Sequence, residues 1–378
     1  TGQLLDHIPG VHAAEEGALN TGKPVMRGFH GSRVLVMIDG QRLQSSLGGI
    51  WGGPEVSLVD PDLLKRVEVI YGPASSLYGS DALGGAINLI TRKAPLSQKT
   101  YSTCSINSYY MTNGKGNREN IRAEAGGKRY AVGLSATNRQ MNDYHTPDEK
   151  MQDSGYKMRS GSFDMTFRPA EKHTFVFTAQ INRNRDLERP PSESPAAVTK
   201  IETTDYNRLK LGVDYSWADI SSHIHRLAVK AYYQRDDSEF TFDGDIHPFP
   251  GLSIQTSSTG DSELETIGLQ GQIDFSVTGK SYTVFGFDYY YNSSGPNKTK
   301  KRSRTRIMGF RRPEERSVSI AEDGNADSLG IFLQNEIQVA ERIDITLGLR
   351  YDWYRSRISP HGADKNSFSR SSTDSALT

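Results

Sequence analysis

The chain has 378 residues, and its 45 Lys plus Arg are balanced by 45 Asp plus Glu, so nothing in the global charge points to a nucleic-acid partner. Mean hydropathy is −0.59, and no apolar run approaches the roughly 20 residues of a membrane helix, which excludes a helical inner-membrane protein. A membrane barrel stays open, because lumen-facing polar residues alternate with lipid-facing apolar ones and lower the average.

Residues 1 to about 95 read as a compact mixed domain. Thr1 to Gly10 has neither the basic start nor the apolar core of a signal peptide. Val34 to Ile38 is a continuous apolar run closed by Asp39-Gly40, a tight-turn signal. Pro61 to Lys65 suits a short helix with Asp60 as N-cap and Pro61 at the first helical position. Arg66 to Ile70 and Ala86 to Thr91 are further strands, closed by Gly72-Pro73 and entered through Gly84-Gly85 respectively. Gly17 to Lys23 has the spacing of a phosphate-binding loop, but Pro24 stands where the magnesium-binding hydroxyl is needed. With no nucleophile elbow, HExxH or cysteine pair either, no enzyme is expected. Cys104 is the single cysteine, so no intrachain disulfide forms.

From about residue 100 the pattern alternates with period two. Ile343, Ile345, Leu347, Leu349, Tyr351 and Trp353 share one strand face, and Asp344, Thr346, Gly348, Arg350 and Asp352 share the other. Strands are expected over 100–112, 117–125, 129–141, 159–168, 173–185, 204–217, 223–237, 262–278, 281–292, 326–340 and 343–357. Apart from the short link at Asn113 to Gly116, short links alternate with long ones at 142–158, 186–203, 238–261 and 293–325. One short rim and one long rim is the mark of an outer-membrane barrel, with periplasmic turns below and extracellular loops above. Asp236, Asp237, Asp243 and Asp245 gather near one long link, but their spacing matches no EF-hand loop. His223 and His225 fall near a short turn, where metal binding is not expected.

The first region resembles the plug of TonB-dependent receptors. The matching residues are Ile8-Pro9-Gly10-Val11, Met26-Arg27-Gly28-Phe29, Arg33 to Gly40 with Arg42, and the block Asp60 to Arg92. Gln334-Asn335-Glu336 and Leu347 to Asp352 resemble a hairpin of the same family's barrel. The resemblance implies an all-β antiparallel transmembrane barrel of 22 strands, of which about 11 are expected here, with a small α/β plug inside it. Residues 1–95 would be the plug and 96–378 the first half of the barrel. The TonB box and the remaining strands are expected outside the chain. The location implied is the outer membrane of a Gram-negative bacterium, and the activity is active uptake of a scarce nutrient. A passive porin or an adhesin is the rival from another class, although a passive pore needs no folded N-terminal domain.

Carried residue by residue, the resemblance gives Arg27, Arg66 and Glu68 as charges pairing plug to barrel, with room for the barrel glutamates to lie beyond residue 378. Tyr71 stands where the family usually has an arginine, which removes one such charge. Gly40, Gly79, Gly84 and Gly85 would serve as plug turns. The plug apices, where the family's ligand sits, map to Phe29, His30 and Ser32 and to the segment with Gln44 and Trp51. His30 is a candidate axial ligand for haem iron, against the plainer reading of a solvated loop histidine. Trp51 would stack on a flat chelate or else pack on the wall. Lys300, Lys301, Arg302, Arg304, Arg306, Arg311 and Arg312 form a cationic extracellular loop suited to an anionic ferric siderophore, haem propionates or lipopolysaccharide phosphates. No built-in cofactor or metal is expected, and iron chelates are favoured over cobalamin as cargo. The implied partners are TonB with ExbB–ExbD, lipopolysaccharide and outer-membrane lipid, and the receptor is expected to be a monomer.

Overall fold

Val34 to Ile38 is buried along its whole length, alternate residues facing two apolar clusters. That explains a continuous apolar run where a one-sided strand would alternate. The computed structural model describes residues 2–14, 22–44, 56–72, 75–79, 82–194, 197–247, 252–307, 314–362 and 370–377. In the N-terminal region, β1 (Val11–Ala14) pairs with β2 (Lys23–Met26). A four-stranded sheet has the order β4 (Gln41–Arg42), β3 (Val34–Ile38), β6 (Gly85–Thr91), β5 (Leu64–Tyr71), with β3 parallel to β6. Two single-turn helices, α1 (Gly2–Leu5) and α2 (Ser75–Tyr78), complete it. The helix expected over 61–65 is one 3-10 turn, Pro61–Leu63, because Leu64 already begins β5. Asp60 is its N-cap and accepts from the Asp62 amide at 3.0 Å.

The wall is one antiparallel sheet in chain order. It comprises β7 (Tyr101–Met111), β8 (Gly116–Gly126), β9 (Tyr130–Met141), β10 (Tyr156–Ala170), β11 (His173–Glu188), the flanking β12 (Ser192–Ser194), β13 (Ala197–Ala218) and β14 (Ile224–Ile246). It continues through β15 (Leu252–Phe275), β16 (Ser281–Ile307), β17 (Glu314–Ala340), β18 (Ile343–Gly362) and β19 (Arg370–Leu377). Two differences from the expected strands stand out. The pairing of β19 with Tyr351–Ile358 adds a strand beyond 343–357. The supposed long loops at 238–261 and 293–325 are mostly strand, and β16 pairs with β17 as far as Thr305↔Glu314. Turn-forming and charged residues such as Asp243, Gly244, Gly295 and Pro296 interrupt the sequence there and disguise the strands.

Alternation on β18 separates the faces. Leu347, Leu349 and Tyr351 are 62%, 54% and 44% exposed, whereas Arg350 is 1% exposed. The first row is the lipid face and the second the lumen. At the short-turn rim His173 stacks on Trp217 with ring centroids 5.2 Å apart, and Phe175 meets Tyr215 at 4.7 Å, an interfacial aromatic girdle. His225 joins it by stacking on Tyr282 and hydrogen-bonding Ser276.

Candidate functional site

The direction of the plug strands fixes which end is which. Beyond β6, the Ser97 amide donates to Gly127 O in a short turn of the wall. So β3 and β6 run toward the short-turn rim, and the Asp39-Gly40 turn lies on that side. The other end of β3, entered through Phe29, His30 and the 3-10 turn Gly31–Arg33, points toward the long-strand rim. After β4 the chain climbs back beside β3, Leu43 N donating to Val36 O at 2.9 Å, which carries Gln44 toward that same end. Phe29 is 41% exposed and His30 is exposed beside it. Gly84 is required here: a Cβ at that position would lie 2.6 Å from Phe29 Cβ. The backbone of Ser32 sits within the 3-10 turn. Trp51 lies outside the described residues.

The plug is held by wall donors aimed at its backbone carbonyls. Lys210 Nζ reaches Ile38 O at 2.9 Å, Lys230 Nζ reaches Asp39 O at 2.8 Å and Gln270 Nε2 reaches Gly40 O at 3.2 Å. Three neighbouring strands thus cap three successive carbonyls of one turn. Asp39 and Gly40 both adopt positive φ (55° and 78°), which turns these carbonyls outward while the Asp39 carboxylate points inward. That carboxylate accepts from Thr91 N and Oγ1 and pairs with Lys93 at 3.0 Å. Burial raises its pKa, but the Lys93 charge and the Thr91 hydrogen bonds outweigh burial and hold it below the ordinary carboxylate value. Higher up, Gln44 O accepts from Gln234 Nε2 at 2.9 Å and Arg208 Nη2 at 3.4 Å. Arg208 is itself paired with Asp236 at 2.7 Å.

A second anchor lies at α2. Arg350 Nη1 donates to Leu77 O at 3.1 Å, and the plug's own Arg42 Nη2 donates to Tyr78 O at 2.6 Å. Arg350 is seated between Asp288 (2.8 Å) and Asp352 (2.7 Å), and Arg42 lies over the Tyr290 ring at 5.1 Å. Gly79 has φ +89°, and a Cβ there would meet Arg42 Nη2 at 2.8 Å. Gly85 also has positive φ, against Ile70 O and Met26. On the far side of the lumen, Arg118 pairs with Asp62 (Nε to Oδ2, 2.6 Å), Ser160 with Asp60, and Asn182 Nδ2 with Leu58 O at 2.9 Å. There the Leu58 side chain sits in an apolar cluster with Met158, Leu187 and Tyr206.

Among the described residues, Arg27, Arg66 and Glu68 meet partners within the plug itself. Arg66 and Glu68, two residues apart on the edge strand β5, share one face and pair with each other (Nε to Oε1, 2.7 Å) while remaining exposed. Arg27, with φ 49°, lies 4.8 Å above the Tyr71 ring, and the Tyr71 hydroxyl donates to Pro9 O. Tyr71 therefore ties the plug to itself where an arginine was expected. Among the described residues, the plug carboxylate that meets a wall cation in an ion pair is Asp62. Part of the expected cationic loop is strand. Lys300, Lys301, Arg302, Arg304 and Arg306 lie on strand β16, and Arg311 and Arg312 fall outside the described residues. Asp236 faces the lumen and its neighbour Asp237 the outer side with Arg235, so the acidic group cannot converge on one ion.

Comparison with known proteins agrees with this architecture. The TonB-dependent Receptor Plug Domain model matches residues 1–86, and the TonB dependent receptor-like beta-barrel model matches residues 101–378. The chain belongs to the TonB-dependent receptor family. These receptors are integral to the outer membrane. Vitamin B12 transporter BtuB of Vibrio vulnificus (strain CMCP6) is 38% identical over 96 residues, which is 25% of this chain and 15% of that protein. Copper transporter OprC superposes with TM-score 0.76 at 18% identity, over 100% of this chain and 58% of that one. Siderophore receptor PiuA from Acinetobacter baumannii gives 0.66 at 17% identity, over 99% and 58%. The chain thus spans less than two thirds of these receptors, and at such identities the structures speak for the fold alone.

Proposed function

We propose that the receptor to which this chain belongs imports a scarce nutrient across the outer membrane by TonB-driven displacement of its plug. One observation carries this reading: a folded domain is fastened inside the wall by side chains of β8, β10, β11, β13, β14, β15 and β18. A passive pore has no use for such a stopper, and moving it requires work supplied from outside, here by TonB with ExbB–ExbD. Phe29, His30 and Gln44 form the plug surface that would meet the cargo beneath the long strands, with Ser32 and Trp51 in the same two segments. An iron chelate, ferric siderophore or haem, is the favoured cargo. The basic positions from Lys298 to Arg306 would draw in its negative charge, and would equally suit lipopolysaccharide phosphates. The 38% identity to a vitamin B12 transporter favours cobalamin as the second reading.

The test is to purify the full-length receptor from iron-starved cells and identify the bound molecule by absorbance, elemental analysis and mass spectrometry. Iron is the expected metal, and a Soret band lost on His30→Ala would assign haem. Cobalt would move the assignment to cobalamin. Uptake that is unchanged in cells lacking TonB would overturn the import mechanism itself.

A further inference from the structure

The two sides of the plug are fastened by different chemistry. Against β8–β11 the plug makes the Arg118–Asp62 ion pair, buries Leu58 in the wall's apolar cluster, and receives Ser160 on Asp60. Its last residues are tied there as well, Ala94 N donating to Asp164 Oδ2 at 2.7 Å, with Asp164 paired to Arg122 at 2.9 Å. Separating that side would part opposite charges and expose apolar surface, and the chain itself runs directly into β7.

Against β14–β18 the described donors reach only neutral carbonyls: Lys230 to Asp39 O, Gln234 to Gln44 O, Gln270 to Gly40 O and Arg350 to Leu77 O. Arg350 is neutralised on its own side of the seam, and Lys230 has an acidic cross-strand neighbour. Arg350 is held by Asp288 and Asp352 of the wall, and Asp214 stands directly across the register from Lys230. The Asp39 carboxylate is matched by Lys93 within the plug. When this seam parts, Arg42 leaves the Tyr290 ring, and water can replace each of these carbonyl bonds. A cavity of about 240 Å³ already lies in it, lined by Met37 and Asn88 of the plug and by Lys230, Gln270, Gln272 and Asp288 of the wall. It is below the usual size of a ligand pocket but is polar and roomy enough for water.

We propose that, within the import reading above, the plug parts from the wall along β14–β17 while pivoting on β8–β11. The cargo then passes along the lumen face that carries Lys230, Gln270, Gln272 and Asp288. The charge and amide groups on this route suit a hydrated polar solute.

The test needs no knowledge of the cargo. In the full-length receptor with Cys104→Ser, one thiol is placed on each side, Met37→Cys at the cavity and Leu58→Cys at the pivot. Both positions are buried at rest, at 2% and 0% exposure. Cells with and without TonB are treated with biotin-maleimide. Met37→Cys is expected to label several-fold faster when TonB is present, while Leu58→Cys stays equally protected in both strains. If TonB speeds labelling of Leu58→Cys as much or more, the pivot is misplaced and the inference falls, with TonB-driven movement still standing. If TonB changes neither, the import reading falls and takes the inference with it. Leu35→Cys, on the same cavity and 5% exposed, replaces Met37→Cys should that variant not assemble.

Discussion

Arg350 of the wall and Leu77 of the plug are joined by a single hydrogen bond from guanidinium to carbonyl, 3.1 Å long, although they lie 273 residues apart in the chain. The guanidinium is almost fully buried and is kept there by Asp288 and Asp352. Arg350→Gln would leave two carboxylates facing each other without a cation. A loss of about 3–5 kcal/mol is expected from breaking such a buried arrangement. It is checked as a lowered denaturation midpoint, and adding Asp288→Asn should recover part of it.

Asp39 gives the plug a pH dependence of known sign. Its folded pKa lies below the ordinary value, so its contribution is fully present above the unfolded-state pKa. That contribution drains away as pH falls below about 3.9, the unfolded reference, through the lower folded value. Amide exchange at Thr91, whose N–H the carboxylate accepts, should accelerate in that window. With Asp39→Asn the acid-dependent change should vanish.

Gly84→Ala sets a methyl group against Phe29, with the Cβ atoms 2.6 Å apart. Overpacking of this kind costs roughly 1–3 kcal/mol. The double variant Gly84→Ala, Phe29→Gly should recover most of it, because the nearest atom is the Phe29 Cβ, which alanine would keep and glycine removes. Thermal melting of the three variants decides; no recovery in the double variant would mean that backbone, not the Phe29 side chain, resists.

The Arg66–Glu68 pair and the Arg118–Asp62 pair provide a contrast. The first is about half exposed, at 53% and 42%, and the second is 23% and 11% exposed. Arg66→Ala is expected to change stability by no more than about 1 kcal/mol, as exposed pairs do. Asp62→Ala leaves Arg118 unpaired in the lumen and should cost several-fold more. Double-mutant cycles on both pairs would measure the difference, and equal coupling energies would contradict the burial argument.

Much of the wall was legible because its chemistry is periodic. Ile343 to Trp353 alternates with Asp344 to Asp352, and the two rows became lipid face and lumen face. Arg350 and Lys230 could be placed on the lumen row from that pattern alone. Their partners could not, because a carbonyl acceptor such as Leu77 O or Asp39 O carries no residue type to read. Arg66 and Glu68 are a related case: two opposite charges at i and i+2 of a strand share one face and pair locally, which the family pattern does not announce. The extended hairpins of β14–β17 were missed for a different reason. Their turn-forming and charged residues read as loop, while the ladder holds by backbone hydrogen bonds that most sequences can make.

Those hairpins set the character of the receptor's mouth. A strand of 27 residues, as in β16 and β17, measures roughly 90 Å at about 3.3 Å per residue. The hydrocarbon core is about 30 Å thick, so even a tilted strand rises well clear of it. What meets the medium is then a stiff collar of laddered backbone standing above the lipid headgroups. In the proposed import, a molecule arriving from outside would enter a vestibule whose walls are already ordered. Little chain entropy remains to be lost when it binds, and a surface-directed antibody would find a fixed shape to recognise.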